Sequence, residues 1–215
     1  MDNIFEMYKT LLTEYINRFG MLELICNFVV ALGLVLIYLR VYSNFKDAGN
    51  QKSFEKKKVK SIVETFSMTA FFAICGILVL FRIGSIESNI YIDFFKVVAI
   101  LVYIFGVFVN LYGRKCLGTN WGNNVVIYSD HKLIDTGIYG YVRHPLYASI
   151  IWMLYSVSVM YQNILLIILT TVVFIPSMYY RAKQEETELD KVFKGKYTEY
   201  TKKVGMFFPK LIKRK

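Results

Sequence analysis

The chain has 215 residues, of which 55% are hydrophobic, 17% aromatic and only 20% charged, and its mean hydropathy is +0.40. Soluble domains run at about 45–50% apolar and about 25% charged, so a plain soluble domain is excluded, and 3 prolines with 13 glycines exclude collagen-like and linker-like chains. The net charge of +10 would point to nucleic acid in a soluble protein, but in an apolar one it marks cytoplasmic loops and lipid headgroups.

Met1-Asp2-Asn3 has no positive region and no small-residue cleavage site, so no signal peptide is expected. Ile4, Tyr8, Leu11, Tyr15 and Phe19 then step by four, three, four and four. That stripe predicts an amphipathic helix suited to the outer membrane surface. A helix needs about 20 apolar residues to cross a bilayer core. Residues 22–38 form the first such run, broken only by Glu23 and Asn27. Residues 62–81 form the second and carry Glu64, and 94–112 form the third with Lys96 near its start. Residues 146–161 are uncharged but short, and 164–180 follow, interrupted by Pro176. Only Gln162-Asn163 separates these last two, which forces an antiparallel helical hairpin. The basic tail repeats a stripe at Leu189, Phe193, Tyr197, Tyr200 and Val204, weakened by Gly195. Cys26, Cys75 and Cys116 are far apart, with no CxxC, and read as small buried hydrophobes.

The charges orient this array. Of the 26 Lys and Arg residues, only Lys9, Arg18, Arg82 and Lys96 fall outside the first loop, the third loop and the tail. The positive-inside rule then places those three regions in the cytoplasm and the N-terminus outside. The expected fold is an all-α, multi-pass integral membrane protein with about five transmembrane helices, a short hairpin of spans four and five, and a cytoplasmic C-terminal helix. Residues 1–120 would hold the amphipathic segment and three spans, and 121–215 the catalytic region, within one structural domain.

Absences narrow the chemistry. There is no GxG fingerprint, no Walker loop, no HExxH and no GxSxG elbow, so no metal site is expected. The charge is accounted for by topology, so no nucleic-acid partner is expected either. The polar residues concentrate in two places. The first runs from His131 to Tyr147 and contains Gly137, Tyr139, Gly140, Tyr141, Arg143, His144 and Pro145. Pro145 stands where a helix would begin, so free N–H groups and a positive dipole end lie beside Arg143 and His144, an anion-binding arrangement. The other reading is a loop whose Arg and Tyr anchor the interface. The second focus, Arg181 with Glu185 and Glu186, follows the fifth span directly. The hairpin must bring the two foci to one face.

Two blocks in this order, Gly137-Ile138-Tyr139-Gly140-Tyr141-Val142-Arg143-His144-Pro145-Leu146-Tyr147 and Arg181…Glu185-Glu186…Leu189…Phe193…Tyr197…Tyr200…Val204…Pro209, resemble the isoprenylcysteine carboxyl methyltransferase family of integral-membrane methyltransferases, related to the phospholipid methyltransferases. The likeness covers residues 131–209, while 1–120 match only as hydrophobic spans. Gly205-Met206 replaces the family's Val-Pro-type ending. The resemblance implies S-adenosylmethionine (SAM) in a cytoplasm-facing pocket capped by the C-terminal helix, leaving S-adenosylhomocysteine as product. Its contacts would be His131, Lys132, Leu133, Ile134, Tyr139, His144, Pro145, Leu146, Tyr147 and Glu185. Arg181 would face the acceptor, a lipid-like or prenylated molecule arriving from the bilayer.

Physical chemistry is consistent with that implication. Glu185 suits the SAM ammonium, the helix start at Pro145 its carboxylate, and Tyr139, Tyr141 or Tyr147 its sulfonium. Carboxyl O-methylation needs an ionised acceptor held in place, as by Arg181. Phospholipid N-methylation, the alternative, needs a base such as His144 or Glu186. An NADPH-dependent membrane sterol reductase and a non-enzymatic membrane interaction protein explain less of the clustering.

Overall fold

The computed structural model describes residues 2–49, 62–87, 90–118 and 133–210. Among these the secondary structure is helical: α1 (Asp2–Phe19), α2 (Met21–Gly49), α3 (Ile62–Leu80), α4 (Ile90–Leu117), α5 (Pro145–Met160), α6 (Ile164–Leu169), α7 (Ile175–Phe193) and α8 (Lys196–Lys203), with a 3₁₀ turn at Gly137–Gly140. Each apolar run read from the sequence is a helix. Three helical stretches are long and apolar enough to cross a membrane, Met21–Asn44, Asp93–Leu117 and Ile164–Phe193. The apolar stretches Ser67–Leu80 and Pro145–Met160 are shorter.

Helix α5 reaches only about 24 Å at 1.5 Å per residue, and its neighbours surround it. It packs along α4 and also meets α2 and α6. Met153, Met160 and Tyr161 join Cys26, Ala99, Tyr103 and Val107 in one core cluster. Ile151 and Leu154 join Phe71, Cys75, Leu166, Phe174 and Met178 in a second. Cys26 and Cys75 are thus the buried hydrophobes expected, and Cys116 is half-buried. Outward faces carry exposed apolar side chains such as Leu34, Leu101, Phe108 and Val172, as lipid contact requires.

α2 and α4 approach closely because Gly33 has no side chain. A Cβ there would lie 2.6 Å from Tyr103 Cε1 and 2.9 Å from Val107 Cγ2. Tyr103 hydroxyl donates to the Val30 carbonyl at 3.1 Å.

The expected hairpin is present, with its turn at Tyr161–Asn163. Gln162 takes φ +52°, and Asn163 Oδ1 accepts from Leu166 N at 2.9 Å, capping α6. Asn163 Nδ2 donates to the Leu78 and Ile83 carbonyls at 3.2 and 3.0 Å, tying the turn to the end of α3. The returning arm is one rod in which α6 passes into α7 through a π turn at Thr170–Phe174. Pro176, which has no N–H to give to the preceding turn, stands two residues past its end. The apolar part of the rod ends at Tyr180, so the polar stretch 181–193 projects beyond the bilayer core.

The tail stripe is divided between two helices. α7 ends at Phe193, Lys194 and Gly195 take φ +35° and +75°, and α8 begins at Lys196. Tyr197, Tyr200 and Val204 still pack with Leu189 and Phe193, so the stripe describes one apolar face carried across a bend.

Candidate active site

The open end of the hairpin brings the two polar foci together. His144 is the residue before α5, Pro145 its first, and no side chain caps that helix start. Tyr147 lies on the first turn of α5, and Arg181, Glu185 and Glu186 lie on the facing stretch of α7.

Glu186 is the hub. Arg143 Nε donates to Glu186 Oε1 at 2.8 Å, and the Arg143 Nη2 distance is also 2.8 Å. His144 Nε2 lies 3.2 Å from the same oxygen, and Lys183 Nζ is 3.2 Å from Oε2. Arg143 and Glu186 are both buried, with side-chain exposures of 7% and 9%. Burial alone would raise the Glu186 carboxyl, but hydrogen bonds from His144 and Arg143 and their charges outweigh it. The group is held at about 2, below its usual 4.5. It therefore stays ionised, and it is a poor proton acceptor.

Glu185 sits nearer the surface. It accepts from the Tyr147 hydroxyl, lies 3.7 Å from His144 Nδ1 and 3.6 Å from Arg181 Nε. The His144 and Tyr147 rings stack with centroids 5.6 Å apart, and Phe207 meets His144 edge-on at 6.2 Å.

The tail closes this end as a strap. Arg143 N donates to the Gly205 carbonyl at 2.8 Å and His144 N to the Met206 carbonyl at 3.0 Å, a short parallel bridge between Val142 and Gly205. The Arg143 guanidinium also reaches the Val204 and Thr201 carbonyls, the latter at 3.2 Å. Tyr200 hydroxyl donates to the Tyr139 carbonyl at 2.6 Å, and Tyr139 hydroxyl to Gly113 of α4 at 3.4 Å. Burial pushes the phenols of Tyr139, Tyr197 and Tyr200 up, which keeps them neutral donors.

The sequence-read residues fare differently. His144, Tyr147, Arg181, Glu185 and Glu186 converge, with Pro145 at the same helix start. Tyr139 is buried beside them, and Leu146 packs against α4 at Gly113. Leu133 joins the Tyr197–Tyr200 cluster, and Ile134 is half-buried. Tyr141 is exposed at the surface. His131 and Lys132 lie outside the described residues. Sequence reasoning missed Asn110 and Arg114, which line α4 beneath the site. Arg114 Nε donates to Asn110 Oδ1 and Asn110 Nδ2 to Ser149 Oγ, both at 2.9 Å. Their signal was an i, i+4 polar pair at the end of an apolar run. It also missed the carbonyls of Thr201 and Val204, which leave no mark in a sequence. No group of three or more metal-ligating side chains exists among the described residues.

A membrane helix bundle with a charged, strap-covered site at one end of a hairpin is the class defined so far. The overall fold matches a solved structure of the eukaryotic intramembrane Ras methyltransferase ICMT, with a TM-score of 0.60 at 20% identity over 91% of this chain and 70% of that one. Residues 98–191 match the sequence model of the Isoprenylcysteine carboxyl methyltransferase (ICMT) family. The protein-S-isoprenylcysteine O-methyltransferase of Saccharomyces cerevisiae is 33% identical over 81 residues, covering 38% of this chain. The aligned part of the chain spans 34% of that relative's length.

Proposed function

We propose that this chain is an integral-membrane, SAM-dependent methyltransferase that O-methylates the carboxylate of an isoprenylcysteine-like, lipophilic acceptor. One observation carries the reading: Arg143, His144, Pro145 and Tyr147 meet Glu185 and Glu186, all six within the matched stretch 98–191, beneath the 204–207 strap.

The donor set fits SAM. An uncapped helix start suits a carboxylate, the half-buried Glu185 an ammonium, and the stacked His144–Tyr147 pair an apolar and cationic neighbour. When bound, SAM supplies an electrophilic methyl on a sulfonium. The chain's own residues bind, align and exclude water, which is most of what an in-line displacement needs. Arg143 and Glu186 fix the helix start and the strap. Arg181, beside Glu185 on the rod, holds the acceptor carboxylate in ionised form. Glu186, paired with Arg143 and held far below its usual range, is a poor proton acceptor for an amine, so N-methylation would leave His144 as the base, whereas a carboxylate acceptor needs none. The basic loops and tail support a cytoplasmic site and C-terminus with the N-terminus outside. The acceptor then arrives through the bilayer and SAM from the cytoplasm.

The test is calorimetric binding of SAM, S-adenosylhomocysteine and NADPH to the detergent-solubilised chain. SAM and S-adenosylhomocysteine should bind, and Glu185→Ala should weaken both about tenfold or more, the scale of one lost charge-assisted contact. NADPH binding without SAM binding would overturn the reading. Arg181→Ala should raise the acceptor KM and spare SAM affinity; the reverse pattern would remove Arg181 from the acceptor side.

A further inference from the structure

The tail that closes the site reaches deeper into the bundle than the charged layer it covers. After α8 the chain turns tightly at Gly205, where a Cβ would lie 1.8 Å from the Phe208 carbonyl oxygen and 3.2 Å from Lys210 N. Two aromatic residues, Phe207 and Phe208, stand in this turn. Phe207 meets the His144 ring and packs against the cluster of Ile151, Leu154, Phe174 and Met178. Phe208 lies beside Trp152, with ring centroids 6.4 Å apart. Trp152 is about 10 Å along α5 from Pro145 at 1.5 Å per residue. Its neighbours Ile151 and Leu154 pack with Phe174 and Met178, inside the apolar part of the rod that ends at Tyr180. Phe208 therefore stands at the apolar level of the bundle, past the layer of Arg181 and Glu185.

Phe208 is nonetheless 67% exposed. The Trp152 ring stacks on Phe105 of α4, with centroids 5.7 Å apart and planes 17° from parallel, and Phe105 is itself exposed. Phe208, Trp152 and Phe105 form one aromatic row, continuous with the outward face of α4 that carries Leu101 and Phe108. In a membrane bundle that face is lipid contact. The chain then climbs back at once. Lys210 Nζ donates to the Thr201 and Lys202 carbonyls at 2.8 and 3.0 Å, at the end of α8, where Lys202 and Lys203 are exposed. Apolar rings below and lysines above give the layering of an interfacial anchor.

We infer that the 205–209 turn is a membrane anchor that inserts Phe208 into the acyl layer of the bilayer, and that this insertion holds the strap on the site. The link is short: Phe208 follows Gly205 and Met206, whose carbonyls receive the Arg143 and His144 amides. The partner is the hydrocarbon itself. The insertion stands on the aromatic row alone, while its effect on SAM rests on the methyltransferase reading.

The experiment uses the full chain, one copy per phosphatidylcholine nanodisc. Trp121→Phe and Trp152→Phe remove the native indoles, and Phe208→Trp places a reporter in the turn. Acyl chains brominated near the glycerol end should quench its emission more than aqueous iodide does. Stronger quenching by iodide would overturn the insertion. Relief of lipid quenching by farnesylcysteine would assign the row to the acceptor, and its loss in discs holding two copies would assign it to a second copy; either would overturn the proposal. In the same discs Phe208→Ser should weaken SAM binding about tenfold, the scale of one unburied aromatic ring, while Phe208→Leu should stay within about twofold. Unchanged SAM affinity in Phe208→Ser would overturn the link to the strap. A chain of native sequence that binds no SAM would overturn the methyltransferase reading, and lipid quenching of the reporter would still establish the insertion.

Discussion

The two ends of the hairpin solve opposite problems with the same helices. At the turn, Asn163 is fully buried and neutral, and each of its bonds goes to backbone or to a serine. At the open end, Arg143, His144, Glu185 and Glu186 are charged or chargeable and bond one another. A neutral side chain that pairs with carbonyls locks geometry and has nothing left for a ligand. A charged cluster with a half-exposed carboxylate and an uncapped helix start keeps capacity in reserve. Buried polarity alone therefore does not mark a site; charge with unspent bonding does.

Breaking the open end should cost most. Glu186→Ala leaves the Arg143 guanidinium buried without its carboxylate, and losing one member of a buried pair costs about 3–5 kcal/mol. Thermal unfolding in detergent should show that loss, with methyl transfer abolished. Asn163→Ala should cost less, about 1–3 kcal/mol for stranded carbonyls and a lost cap. Its kcat/KM per folded molecule should stay at the wild-type value. A large kinetic defect in Asn163→Ala would collapse the contrast between the two ends. Tyr200→Phe removes one bond to the Tyr139 carbonyl and should cost about 1 kcal/mol, with SAM affinity falling a few-fold as the strap loosens. Acid tests the same pair along a different axis. Glu186 has a folded value of about 2 against 4.5 unperturbed. Its stabilisation is full above the higher value and is lost as pH falls through the lower one. Wild-type stability should decline across that window, and Glu186→Gln should lack this component.

The hairpin itself was legible because two uncharged runs separated by Gln162-Asn163 leave no other geometry. The meeting of His144 and Tyr147 with Glu185 and Glu186 followed from it. Pro145 announced its helix start through its missing N–H. What escaped was of two kinds. Asn110 and Arg114 hid in a run whose average hydropathy swamps two polar positions. The bend at Lys194–Gly195 was signalled only as a weakening at Gly195, because a 4-4-3-4 stripe persists when a helix breaks and its apolar face stays aligned. The strap was beyond any side-chain pattern, since the residues it offers are represented by their carbonyls.

The strap limits how this chain can vary. The closure at Val142–His144 is read through main-chain atoms, so it is indifferent to most letters in the tail. The bond that His144 makes is to the Met206 carbonyl, so it does not depend on the Met206 side chain. Gly205 is the exception, because a Cβ there would lie 1.8 Å from the Phe208 carbonyl oxygen. One small residue thus acts as the tooth of the latch. At the bridge itself, drift is cheap at Met206 and costly at Gly205.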